Sequence, residues 1–138
     1  MARIVRFGVS MDQELLAQFD SLLRELGYPN RSEAIRDLVR EQLVRREWEA
    51  GAEVVGVIVL LYDHHKRELV DRLIDFQHEH HELILSTMHI HLDEANCLEV
   101  LAVRGEGPKV QELADRLRGL KGVKHGELTA TSTGKALR

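Results

Sequence analysis

The chain has 138 residues, enough for one ordinary domain or two small ones. Its 43% hydrophobic and 30% charged residues are those of a globular protein, no apolar run approaches the roughly 20 residues that span a bilayer, and the start MARIVRFGVSMD lacks a secretory apolar block. A single cysteine excludes an intrachain disulfide, and a net charge of −4 excludes a global field for nucleic acid. These features imply a cytoplasmic protein with reduced Cys97, whose DNA-binding surface, if it has one, is a local patch.

The first segment, RIVRFGVSM, alternates, with Ile4 and Arg6 set against Val5, Phe7 and Val9. It reads as a strand with one apolar face, and no second strand lies near it in the sequence. Pairing with its own copy in another chain is the expected solution. A helix follows, with Leu15, Leu16, Phe19, Leu22, Leu23 and Leu26 at helical spacing and Ser10 or Asp12 as its cap. Gly27 and Pro29 end it. A second helix opens at Asn30, with Glu33 placed as in a capping box, and runs towards Trp48. Strand, helix and helix in about 50 residues bury too little unless two copies intertwine.

The remainder reads as strand 53–62, helix 67–83, strands 85–92 and 97–103, helix 109–120 and strand 123–131. The order βαββαβ is the ferredoxin-like plan. The fold class is therefore α+β: a βαα unit at 1–50, then a βαββαβ domain at 51–138. VVGVIVLLY, apolar throughout, is expected to be a central strand covered on both faces.

Residues 78–97, HEHHELILSTMHIHLDEANC, hold five of the eight histidines and the only cysteine. In LSTMHIHL, Met88, Ile90 and Leu92 point one way and His89 and His91 the other. In CLEVLAV, Leu98, Val100 and Ala102 oppose Cys97 and Glu99. If the two apolar sets share one core, His89, His91 and Cys97 share the reverse face, with His91 directly across from Cys97. Two imidazoles and a thiolate suit a transition ion, not calcium or magnesium. On the helix before, Leu69, Leu73, Phe76, His80 and Leu83 fall within roughly 80° of each other, and His78 lies about 180° from Leu69. With that helix on the apolar sheet face, His78 cannot reach the site of its own chain and is expected to serve a neighbour. His80 reads as a packed residue, His64, His65 and His81 as solvated or supporting, and His125 as structural.

The motifs YPNRSEAIRDLVR, HHKREL, QHEHHEL, MHIHLDEANCLEV and KGVKHGEL, in this order, resemble the nickel-responsive regulators, ribbon-helix-helix repressors with an ACT-like metal domain. The resemblance covers nearly the whole chain. It implies nickel(II), one ion per chain, held by His89, His91 and Cys97 with His78 of another subunit, and Gln77 and Glu99 nearby. It implies base contacts from Arg6 and Ser10, with Gly8 standing where relatives usually carry a hydroxyl. It further implies phosphate contacts from Asn30, Arg31 and Ser32, and backbone contacts from Lys66 and Arg67. A weak cation site, potassium in relatives, falls on Glu33 and Asp37. The implied assembly is a homotetramer on a double-stranded operator, repressing nickel uptake genes.

The rivals are a regulator of cobalt, copper or zinc, a metal buffer or storage protein, and a small metalloenzyme. The enzyme is disfavoured because four protein ligands leave no open position on the metal.

Overall fold

The computed structural model describes residues 3–138. They form α1 (Gln13–Leu26), α2 (Arg31–Glu49), β1 (Glu53–Asp63), α3 (Arg67–Glu79), β2 (Ile84–His91), β3 (Asn96–Glu106), α4 (Gly107–Arg118) and β4 (Val123–Ser132). Two compact units result: residues up to 43 with 137–138, and residues 44–136.

In the first unit Asp12 caps α1, its Oδ1 accepting from the amides of Glu14 at 2.9 Å and Leu15 at 3.2 Å. Gly27 closes the helix at φ 76°, a left-handed position that costs glycine nothing. Asn30 caps α2 by accepting from the Glu33 amide at 2.9 Å. Leu23 and Ala34 are this unit's buried hydrophobic residues. Residues 3–11 form neither helix nor strand within the chain. A strand needs a ladder partner, and the expected partner is a second copy, so Ile4, Val5, Phe7 and Val9 stand exposed. With α1 and α2 they line an open groove of about 1350 Å³.

The second unit is a four-stranded antiparallel sheet in the order β2-β3-β1-β4. One face carries the core: Ile58, Leu60 and Tyr62 of β1 and Leu101 and Val103 of β3 pack on Leu69, Leu73 and Phe76 of α3 and Val110, Leu113 and Leu117 of α4. The other face presents Val55, Val57, Val59 and Leu61, half-buried, and among the described residues of this unit no helix packs on it. The expectation of a central strand covered on both faces thus holds for one face within this chain. Helix α3 ends at Glu79, four residues earlier than 83, because the chain turns at 80–83 to enter β2.

Gly107 opens α4 where a Cβ would lie 2.4 Å from the Trp48 carbonyl oxygen. Trp48 is itself fixed, its Nε1–H donating to the Thr131 carbonyl at 2.7 Å. Backbone cannot yield as a flexible side chain does, so Gly107→Ala is expected to cost about 1–3 kcal/mol in denaturant unfolding.

Three carboxyls, half-buried Asp20 and exposed Glu53 and Asp115, are held below their usual range by hydrogen bonds from arginine: Asp20 by Arg31, Glu53 by Arg104 and Asp115 by Arg118. A depressed folded-state pKa stabilises above the unfolded value and is lost as pH falls through the folded value. The melting temperature should therefore hold above pH 4.5 and decline as these groups protonate below their ordinary values of 3.8 to 4.5.

Candidate metal centre and DNA-contacting residues

The β2–β3 hairpin pairs His91 with Cys97 and His89 with Glu99, the register expected from the sequence. Cross-strand partners share a face of the pleat, so all four side chains project to one side. That side is the helix-covered one. Cys97, Glu99, Leu101 and Val103 are buried, while Leu98, Val100 and Ala102 are half-buried on the open face. This inverts the expected assignment. The open face of the sheet is itself apolar, so the apolar set of β3 does not mark the core within one chain.

Cys97 Sγ is fully buried, 3.3 Å from His64 Nδ1 and 3.4 Å from His91 Nδ1. Ligand atoms of His64, His91 and Cys97 all lie within 4.8 Å of one another. Burial pushes the Cys97 thiol up, helped by the negative charge of Glu99 and Asp63. The metal-free thiol is thus neutral, and a cation that takes it as thiolate displaces a proton.

His89 is held differently. Its Nδ1 lies 2.9 Å from Glu99 Oε2, which also accepts from the Tyr62 hydroxyl at 3.0 Å. A carboxylate at Nδ1 fixes the Nδ1–H tautomer and leaves the Nε2 lone pair for a metal. Glu99 is fixed in turn by Gln77, whose Nε2 donates to Oε1 at 3.3 Å. Burial raises the Tyr62 phenol above its ordinary range, keeping it a donor. The rings of His89 and His91 lie 4.8 Å apart, and those of His64 and His91 5.6 Å. Imidazole and buried thiol donors in one cluster fit a borderline transition ion such as nickel(II).

His78 is exposed on α3 and outside this cluster; its carbonyl lies 3.1 Å from His81 Nδ1. Helix α3 does cover the face that holds the site, contrary to the expected arrangement, but the residue it delivers there is Gln77. His80 packs on Phe76, ring centroids 4.5 Å apart. Sequence reasoning read His64 only as solvated or supporting and missed Tyr62 as a member of the site. The signal lay in β1: Tyr62 is the cross-strand partner of Cys97, and His64 follows it by two residues.

Arg6 and Ser10 are exposed in the segment before α1. Arg31 is paired bidentately with Asp20, at 2.9 and 2.8 Å, and Ser32 is exposed beside it. Lys66 and Arg67 stand exposed at the start of α3. Glu33 pairs with Arg36, while Asp37 accepts from Tyr28 at 2.8 Å and Arg40 at 3.0 Å. Both carboxylates of the expected weak cation site therefore have protein partners.

Residues 5–46 match the model of the ribbon-helix-helix protein, copG family. Residues 55–131 match the NikR C terminal nickel binding domain. Relatives bearing the name "Putative nickel-responsive regulator" include those of Geobacter sulfurreducens, 55% identical, and Desulfovibrio desulfuricans, 53% identical; each alignment covers 99% of both chains. The relative from Thermococcus kodakarensis is 54% identical over 98% of this chain and 99% of its own. The chain belongs to the nickel-responsive regulators. As a member of that family it is a DNA-binding, nickel-binding transcriptional regulator and not an enzyme. An uncharacterized protein of Thermotoga maritima shares the fold at 12% identity, with a TM-score of 0.53 over 58% of this chain and 99% of that one. Among the described residues no helix is long and apolar enough to cross a membrane.

Proposed function

We propose that the protein is a cytoplasmic repressor of nickel uptake genes, acting as a homotetramer with DNA-binding domains at 1–50 and metal domains at 51–138. The observation that carries this reading is the paired hairpin, with His91 facing a buried Cys97 and His89 oriented by Glu99. One nickel ion per chain is held by His89, His91 and Cys97 with His78 of a second subunit. Gln77 and Glu99 orient the His89 ring. The outward position of His78 supports its service to another chain. The open apolar face of the sheet and the apolar groove of the first unit support burial between copies.

Arg6 and Ser10 read base edges from a paired ribbon, and Gly8 between them loosens the readout. Asn30, Arg31 and Ser32 engage phosphate at the start of α2. Lys66 and Arg67 add backbone contacts. Glu33 and Asp37 hold a potassium ion where their present partners give way. The first 50 residues sum to −1, with eight arginines, no lysine and nine acids, so non-specific affinity is modest and salt-dependent. Nickel favours arrangements in which both DNA-binding dimers reach one operator.

A second reading keeps the regulator and changes the ion. His64, His91 and Cys97 form a three-donor set within one chain, which favours a tetrahedral ion such as zinc or cobalt with one outside ligand. The names of the relatives favour nickel.

The test is a nickel titration of thiol-reduced, metal-free protein, followed by visible absorption, with a gel shift on a duplex selected from a random pool. A thiolate–nickel band saturating near one ion per chain, with tighter DNA binding, is the expected result. Equal DNA affinity with and without nickel would sink the coupling, and several weak ions per chain would mark a metal buffer.

A further inference from the structure

Near the Cys97 hairpin, the register of β4 on β1 slips. Leu61 pairs with His125 and Tyr62 with Val123, which leaves Lys124 as the extra residue of a bulge. A bulge re-aims the side chain it carries. Lys124 lies on β4, yet its Nζ donates to Asn96 Oδ1, on β3, at 2.6 Å. The strand between them is β1.

Asn96 is the last residue before Cys97 and opens β3 at the end of the hairpin loop. Its Nδ2 donates to Asp93 Oδ2 at 3.0 Å. Asp93 Oδ1 accepts from the amides of Ala95 at 2.9 Å and Asn96 at 2.7 Å. These bonds hold the Asp93 carboxyl down at about 2, with Lys124 contributing attraction. The loop is tied outward as well: the His64 amide donates to the Ala95 carbonyl at 2.9 Å. From His64 the chain runs directly into a turn on Asp63, which accepts from the His65 amide at 2.9 Å through Oδ1 and from the Lys66 amide at 3.2 Å through its carbonyl.

We propose that Lys124 is a positioning residue that pins the hairpin loop through Asn96, so that the segment carrying Cys97 and, through the Ala95–His64 bond, the segment carrying Lys66 and Arg67 move as one hydrogen-bonded unit. The proposal rests on the reading of Lys66 and Arg67 as DNA contacts for its functional consequence, and on geometry alone for the clamp itself. Lys124 holds Asn96 at one end of the loop, and the loop is tied to the turn before α3 by the bond from the His64 amide to the Ala95 carbonyl. Its side chain is exposed, so its contribution to global stability is small and its effect is local. What the clamp supplies is a defined place for Cys97 relative to His64, and a mechanical path from that pair to the start of α3.

The test uses the full chain with Lys124→Met, which keeps the apolar stem and removes the ammonium, and Lys124→Arg, which restores a donor. Amide hydrogen exchange is measured in metal-free protein and after addition of nickel(II) alone. In the metal-free Lys124→Met variant the amides of His64, Ala95 and Asn96 should exchange faster by on the order of ten-fold, the worth of one charge-assisted hydrogen bond. Core amides of β1 and the melting temperature should stay at wild-type values. In wild type, nickel should slow exchange at His64, His65 and Lys66, and this slowing should be lost in Lys124→Met and recovered in Lys124→Arg. Wild-type exchange at those amides in Lys124→Met would overturn the clamp, as would acceleration spread over the whole sheet with a lowered melting temperature. If the clamp behaves as stated but Lys66→Ala leaves affinity for the selected duplex unchanged, the DNA-contact reading fails and the clamp stands.

Discussion

Replacing Cys97 by serine is expected to abolish the thiolate–nickel absorption and to weaken nickel binding by at least ~100-fold, since even groups that merely orient a ligand are worth ~10–100-fold. The reason is local chemistry. Cys97 is the one thiol of the chain, and it sits fully buried where two imidazole nitrogens approach it at 3.3 and 3.4 Å. A serine hydroxyl can keep those two contacts as hydrogen bonds, so the metal-free variant should retain its circular dichroism. It cannot supply a soft anionic donor at neutral pH. The measurement is competition with a chelator of known strength, beside the absorption spectrum. Unchanged nickel affinity would remove the thiol from the coordination set and, with it, the hairpin as the site.

That the hairpin was legible in the sequence at all follows from its turn and its alternation. DEAN between two alternating segments fixes the loop length, and a register with His91 opposite Cys97 is the one that keeps histidines and cysteine on one face. What alternation could not settle was which face the helices cover. Leu98, Val100 and Ala102 look like a core set beside Cys97 and Glu99, and a single polar residue buried by its partners reverses the inference. Glu99 is tolerated inside because Tyr62, His89 and Gln77 all bond to it. His64 could be read no further than solvated or supporting for a related reason: it lies beyond the end of a strand, where periodicity stops, and is brought to Cys97 by the pairing of β1 with β3 and the tie from its amide to Ala95. The N-terminal strand was legible as a pattern, but a strand without a ladder in its own chain stays unpaired in a single copy.

The inversion of faces sharpens the question of His78. With α3 on the same side of the sheet as the metal centre, exposure alone no longer forces His78 into another subunit, and His64 is the histidine that lies beside the thiol. A mixing experiment separates the two readings. The His78→Ala and Cys97→Ala variants, each alone, should lose the thiolate–nickel band. When they are unfolded together and refolded as mixed oligomers, an interchain site regains the band wherever a subunit with an intact Cys97 meets a neighbour with an intact His78. A site built from His64, His91 and Cys97 of one chain predicts otherwise: His78→Ala alone keeps the band, His64→Ala loses it, and mixing changes nothing. A partial band that appears only after co-refolding, grows with the fraction of mixed oligomers and survives His64→Ala would assign the fourth ligand to the second subunit. Its absence, with loss in His64→Ala, would place the whole donor set in one chain and leave the nickel signal to be passed through the β1–α3 turn without help from a neighbour.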